Sequence, residues 1–217
     1  MIRNIFARIG RFHGCGVPAV FALLLTAQCV EAQKFAPLFK PNWGTLNSSG
    51  NPKPIAPEGF GDRQNSWAWS MAWFNGKLLV GTARSEQCIT AYSEHLASAG
   101  YAYPPSDPAI SCPANVTQLA LQAEIWSYDP VAKTWTRVFQ SPLTVPVPGQ
   151  PGLMEPPDVG FRDMFIYEEP SGTEALYVSG CSADAVFPGV GGGRLLRSID
   201  GVNFAPVPQD QAPTWEI

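Results

Sequence analysis

Arg63 and Arg162 stand at the head of two similar stretches of chain, each just before an apolar run. Guanidinium groups placed that way can hold an anionic ligand through bidentate hydrogen bonds. The alternative is that each pairs with a nearby carboxylate (Asp62, Asp158 or Asp163) and fixes a junction between structural units. Asp158, Asp163, Glu168 and Glu169 are also the carboxylates from which a glycosidase would draw its catalytic pair. That chemistry needs two carboxyl groups facing one bond; carboxylates clustered along a strand end otherwise serve as a solvated edge. Trp67, Trp69 and Trp73 could stack on sugar rings if exposed, but their strict alternation predicts a buried face instead. Tyr92, Tyr101 and Tyr103, followed by Pro104 and Pro105, give the insertion 84–122 an amphipathic set suited to contact with a ligand. The alternative for that insertion is a lid.

Other chemistries lack their residues. His95 is the one histidine left once an N-terminal signal is removed, so a multi-histidine zinc site is excluded. A Ser-His-Asp triad would have to use His95 itself as base. No Cys-x-x-Cys, GxSxG, HExxH, P-loop or EF-hand pattern occurs. The Gly189–Gly193 run precedes a strand rather than a helix, which argues against a phosphate cradle. No metal and no cofactor is expected. There is no Lys/Arg cluster, so nucleic acid is not an expected partner. Cys88 and Cys112 bracket one loop and are the preferred disulfide pair; Cys181 is left over.

The elements that must position these groups read as strands and tight turns. Ser66–Trp73 alternates large and small side chains with period two. Asn75-Gly76 is a strong two-residue hairpin signal, and residues 77–82 return. Residues 124–128 and 135–139 flank a turn opened by Asp129-Pro130. The grammar restarts with strands at 164–167, 175–179, 194–198 and 203–207, and with turns at Pro170–Gly172 and Asp200-Gly201. Each unit is a four-stranded meander of about 45 residues once 84–122 is set aside, the size of a propeller blade.

Gly81, Tyr128, Asp129 and Trp135, following Trp73 and Gly76, resemble the anchors of a kelch repeat, with one glycine where two are usual; Gly180 answers Gly81 in the second unit. Ser198-Ile-Asp200-Gly201-Val-Asn-Phe204 resembles an Asp-box, the turn of sialidase-type propellers, with one spacer missing and Phe204 in place of Trp. The resemblance covers roughly residues 60–208 and extends to secreted bacterial propellers that mix both signatures. It implies an all-β partial propeller of about two antiparallel blades. It implies no catalytic residue, because both motifs stabilise hairpins.

The chain has 217 residues, 15% charged, with 20 Gly, 22 Pro and 7 Trp. Arg3, Arg8 and Arg11, an apolar run over 17–27 and Val30-Glu31-Ala32 form the three parts of a cleavable export signal, residues 1–32. The run is too short for the ~20 residues of a spanning helix. Export places the protein in the periplasm or outside the cell, where a disulfide can persist. The expected order is a Pro-rich arm (33–60), a first blade (61–141), a Pro-rich connector (142–157), a second blade (158–208) and the start of a third (209–217). Closed propellers hold ~4–8 blades, so the expectation is a fragment, or a propeller completed by self-association or by missing blades. The expected function is a non-catalytic binding or scaffold protein whose ligand is a protein or a carbohydrate. A sialidase-like glycoside hydrolase and a remnant without ligand are the alternatives.

Overall fold

A computed structural model describes residues 54–208. The expected export signal, most of the arm and the expected start of a third blade (209–217) lie outside those residues. Asn75 and Gly76 both take positive φ, 49° and 73°, as a type I′ turn requires. They fold β1 (Asn65–Phe74) back onto β2 (Lys77–Arg84). After a long excursion, β3 (Glu124–Asp129) pairs with β2, and β4 (Thr134–Gln140) pairs with β3. The β3–β4 turn is closed by Asp129, whose Oδ1 accepts the amides of Val131 and Ala132 at 2.9 and 3.0 Å. Tyr128 and Trp135 pack ring on ring across that hairpin, 5.0 Å between centroids.

The connector holds a short hairpin, β5 (Val145–Pro146) with β6 (Met154–Glu155). β7 (Gly160–Glu168), β8 (Glu174–Cys181), β9 (Leu195–Ser198) and β10 (Ala205–Pro206) then build a second four-stranded antiparallel meander. In its last turn Ser198 Oγ accepts the Gly201 amide at 2.9 Å. Asp200 Oδ1 accepts the amides of Val202 and Asn203 at 2.8 and 2.7 Å. One strand pair, Ala83 with Gly160, links the two meanders into a curled eight-stranded sheet. Among the described residues the structure is all-β apart from one α-helix and short 3-10 turns.

The main core lies between the meanders. Phe74, Leu79 and Ile125 of the first meet Phe161, Met164 and Val178 of the second. Phe204 packs on Phe139 at 5.6 Å. Gly81 permits this approach: a Cβ there would fall 2.5 Å from Ser70 Oγ and 2.7 Å from Phe161 Cβ. A Cβ at Gly180 would likewise collide with the Asp158 carboxylate.

The strand β1 corrects one expectation. Alternation predicts that the tryptophan face is buried, yet it is the face with Ser70, Ala72 and Phe74 that packs in the shared core, and of these tryptophans Trp69 reaches the second meander, at Gly160 and Arg162. Trp67, Met71 and Trp73 are exposed. Alternation says that two faces differ and leaves open whether both are covered.

Candidate functional site

Strand direction sorts the connections. The tight turns (75–76, 130–133, 169–173 and 199–204) all fall at one end of the meanders. The long connections (85–123, 141–159 and 182–194) all emerge at the other. Long loops on a rigid sheet are where binding groups concentrate, so that end is the candidate site.

The three connections are packed into a cap with a core of its own. Cys88 and Ile89 from the first, Val147 and Val159 from the second, and Val186 and Phe187 from the third pack together. The first connection begins with helix α1 (Glu86–Ala97), which the strand-and-turn reading did not include. Its signal is Cys88, Ile89 and Tyr92 at i, i+1 and i+4, one helical stripe. Cys88 and Cys112 are joined by a disulfide that closes the insertion against α1.

Two buried polar clusters lie at strand ends, one beside Asp62 and one between the second and third connections. In the first, Arg84 is buried and donates from Nη1 to Asp62 Oδ2 at 2.8 Å and to Asn65 Oδ1 at 3.1 Å. Asn65 in turn donates to the buried Glu124, which also accepts from Trp126 and Arg137 at 2.9 and 2.6 Å. Burial pushes the Glu124 carboxyl up, but the bonds from Asn65, Trp126 and Arg137 outweigh it and hold it below the usual range. At Asp62 burial is outweighed in the same way by the Gln64 amide and Arg84. In the second cluster Asp158 is fully buried. It accepts from Arg194 Nη2 at 2.6 Å and from Ser141 Oγ at 2.8 Å.

Those clusters correct the arginine expectation. Asp62 and Asp158 do take arginine partners, but the partners are Arg84 and Arg194. Both fall at strand ends, where only the fold shows which carboxylate they reach. Nor do Arg63 and Arg162 occupy matching places. Arg63 precedes β1 by two residues, whereas Arg162 is the third residue of β7, inside the strand at its bulge. Arg63 donates through Nη2 to the Ala109 carbonyl and lines a small open depression with Gln64, Gln87, Ile110 and Ser111. Arg162 lies over the Trp69 ring, 5.4 Å from its centroid, beside the half-buried Cys181 and within reach of Glu86. Burial raises both the Cys181 thiol and the Glu86 carboxyl above their usual ranges; Arg162 opposes both shifts.

The tyrosines do gather in the cap. Tyr92 and Tyr103 meet edge to face at 5.2 Å. Burial pushes the Tyr103 phenol up, and its hydroxyl is enclosed without a hydrogen-bond partner. Tyr101 is 55% exposed, and its carbonyl lies 2.7 Å from His95 Nδ1.

The four candidate carboxylates of a glycosidase are not brought together. Asp158 is buried on Arg194. Glu168 ends the nine-residue β7 and Glu169 follows it, so the length of that strand, roughly 25 Å at ~3.3 Å per residue, separates them from Asp158. Glu169 is held by Arg197 and Tyr177, whose hydrogen bonds lower it to about 2. Asp163 accepts the Met164 amide at 2.9 Å. Among the described residues, no group of three or more His, Cys, Asp and Glu could hold a metal ion. No described helix is long and apolar enough to cross a membrane. Neither a family model, nor a curated protein, nor a solved structure matches the chain.

Proposed function

We propose that the chain is an exported, non-catalytic binding protein of propeller type, with its ligand face at the end that carries the long connections. The observation that carries the reading is that segregation: every long connection at one end, every tight turn at the other. Several facts support the propeller part. Each meander has four antiparallel strands, and the two pack face to face. Their last turns are closed the same way, with Asp129 and Asp200 each accepting the amides two and three residues on. Export is supported by the composition of residues 1–32 and fits the Cys88–Cys112 disulfide.

The ligand is a protein or a carbohydrate. Exposed Tyr101 and the Arg162–Trp69 stack offer amphipathic contact with fixed geometry. Of the candidate carboxylates, Asp158 is engaged by Arg194 and Glu169 by Arg197. The test is a glycan array run beside a panel of immobilised exported proteins. Whichever ligand binds, Tyr101→Ala and Arg162→Ala should each weaken it about tenfold or more. Val131→Ser and Val202→Ser, at the tight-turn end, should leave it unchanged. Loss of binding from the tight-turn pair alone overturns the assignment of the face. Export is checked by N-terminal sequencing of the secreted protein, which should begin at Gln33.

A further inference from the structure

We propose that the β5–β6 hairpin is a pH-sensitive flap, closed on the cap while Glu155 is protonated and lifted when that carboxyl ionises, with both its ends staying clamped. This goes beyond the ligand face proposed above and does not depend on what binds there.

The backbone draws the outline of the flap. β5 and β6 pair with each other and stand apart from the eight-stranded sheet. The hydrogen bonds of residues 142–157 stay inside that stretch: the amides of Thr144, Val147, Gln150 and Leu153 donate to the carbonyls of Glu155, Leu153, Val147 and Gln150. The ends are tied outward instead. The Ser141 amide donates to the Ala123 carbonyl at 2.8 Å, and its Oγ to buried Asp158. The Val159 amide donates to the Cys181 carbonyl at 2.7 Å, and the Val159 carbonyl accepts the Arg84 amide at 2.8 Å. Six prolines between these clamps stiffen the stretch, so that it moves as one body. Apolar contact holds its middle down. Val147 shares a core with Val186 and Phe187 of the third connection, and Leu153 packs against it. Pro148 lies on Gly189, where a Cβ would come 3.2 Å from the proline Cγ.

Alternation along β6 turns Met154 out, 39% exposed, and Glu155 in, 3% exposed. Burial is the one cause that pushes the Glu155 carboxyl up to about 7; no hydrogen bond and no charge offsets it. The charged groups on neighbouring elements are engaged elsewhere. Asp158 is bound by Arg194, Asp184 accepts the Gly189 amide at 2.7 Å, Arg84 holds Asp62, Glu86 faces Arg162, and His95 meets the Tyr101 carbonyl. None of them, nor Glu94 on α1 or Asp107 in the insertion, acts on Glu155. An enclosed carboxylate without partners is costly. Lifting the hairpin hydrates it and keeps the hairpin's own hydrogen bonds; only the contacts of Val147, Leu153 and Pro148 are lost. The closed-to-open ratio is therefore highest below 4.5, falls as pH rises towards about 7, and then levels off roughly a hundredfold lower. Lifting uncovers Val186 and Phe187 at the end that carries the long connections.

Thiol labelling tests this. Val147→Cys with Cys181→Ser puts one buried thiol under the flap, and the same protein is made with Glu155→Gln added. Labelling rates with 4,4′-dithiodipyridine are compared pH by pH, so the thiol's own ionisation cancels. The rate with Glu155 present, divided by the rate in the Glu155→Gln protein, should be near one at pH 4.5 and on the order of a hundredfold at about pH 7.5. A ratio within about twofold of one throughout overturns the flap. Amide exchange at the higher pH shows how far the opening spreads. β2 and β8 should exchange alike in the two proteins; faster exchange there when Glu155 is present would mean global opening and also overturns the flap. If Val147→Cys does not fold, methyl spectra carry the same test. The Val147, Leu153 and Val186 signals should move over this pH range in the wild type and stay fixed in Glu155→Gln; wild-type signals that stay fixed overturn the proposal.

Discussion

Two buried carboxylates show how differently one chain can settle the same cost. Asp158 is enclosed with Arg194 and Ser141, so its charge is matched atom by atom. Such a pair adds little over an apolar isostere but is costly to break from one side. Glu155, at the end of β6, is 3% exposed, and burial alone pushes its carboxyl up to about 7. A raised acid folds most favourably while protonated. Its contribution to stability is complete below its ordinary value of 4.5 and is lost as pH rises through about 7. Asp62 and Glu124, held low, act in the opposite sense: their contribution is present above the ordinary carboxylate range and is lost as pH falls. Glu155→Gln imitates the protonated form at every pH. The melting-temperature difference between Glu155→Gln and wild type should therefore be small at pH 4.5 and below, widen as pH rises towards about 7 and then level off. A difference that does not vary with pH removes the case for a protonated Glu155.

At the scale of elements, the insertion is held by packing and one covalent link. Helix α1 is short, and isolated helices of its length are marginal in water. Its stability comes from Cys88, Ile89 and Ala91 against the cap core and from the bond to Cys112. Replacing both cysteines by serine should cost about 3 kcal/mol in the chain-entropy view of the loop. The loss should be local. Amide exchange should quicken across residues 86–121, while β2 and β8 keep their protection; equal acceleration in the sheets would show that the cap is part of the same cooperative unit. The contrast between α1 and the hairpins explains what was legible beforehand. Turns at Asn75-Gly76, Asp129 and Asp200 are written in local chemistry, positive φ and side-chain acceptors, so the strands beside them were legible too. Tyr92, Tyr101 and Tyr103 could be assigned to one insertion for the same reason of proximity. The helix could not, because its stripe covers barely one turn and its partners lie tens of residues away. The arginine pairings failed likewise: Arg194 reaches Asp158 across 36 residues, a contact only the assembled sheets define. The covered side of β1 was equally out of reach, since what decides it is whether another sheet lies against it.

For the whole molecule, the question is whether two meanders joined by one strand pair behave as one cooperative unit. Their shared core says that they do. Phe161 is fully buried and belongs to the second meander, yet it fills the space left by Gly81 in the first and packs on Phe139 at 5.8 Å. Cutting it to alanine opens a cavity at the contact itself, where neither sheet can collapse without moving the other. Large-to-small changes of this kind cost ~3–5 kcal/mol. The tryptophans provide a reporter: five of the seven, Trp67, Trp69, Trp73, Trp126 and Trp135, lie in β1, β3 or β4, so fluorescence reads mainly the first meander. Far-ultraviolet circular dichroism reads both. If the meanders form one unit, Phe161→Ala should move the fluorescence and dichroism transitions in denaturant by the same amount, although the altered residue sits in the meander without those tryptophans. If the fluorescence transition stays where it is in wild type while dichroism shifts, the first meander folds by itself.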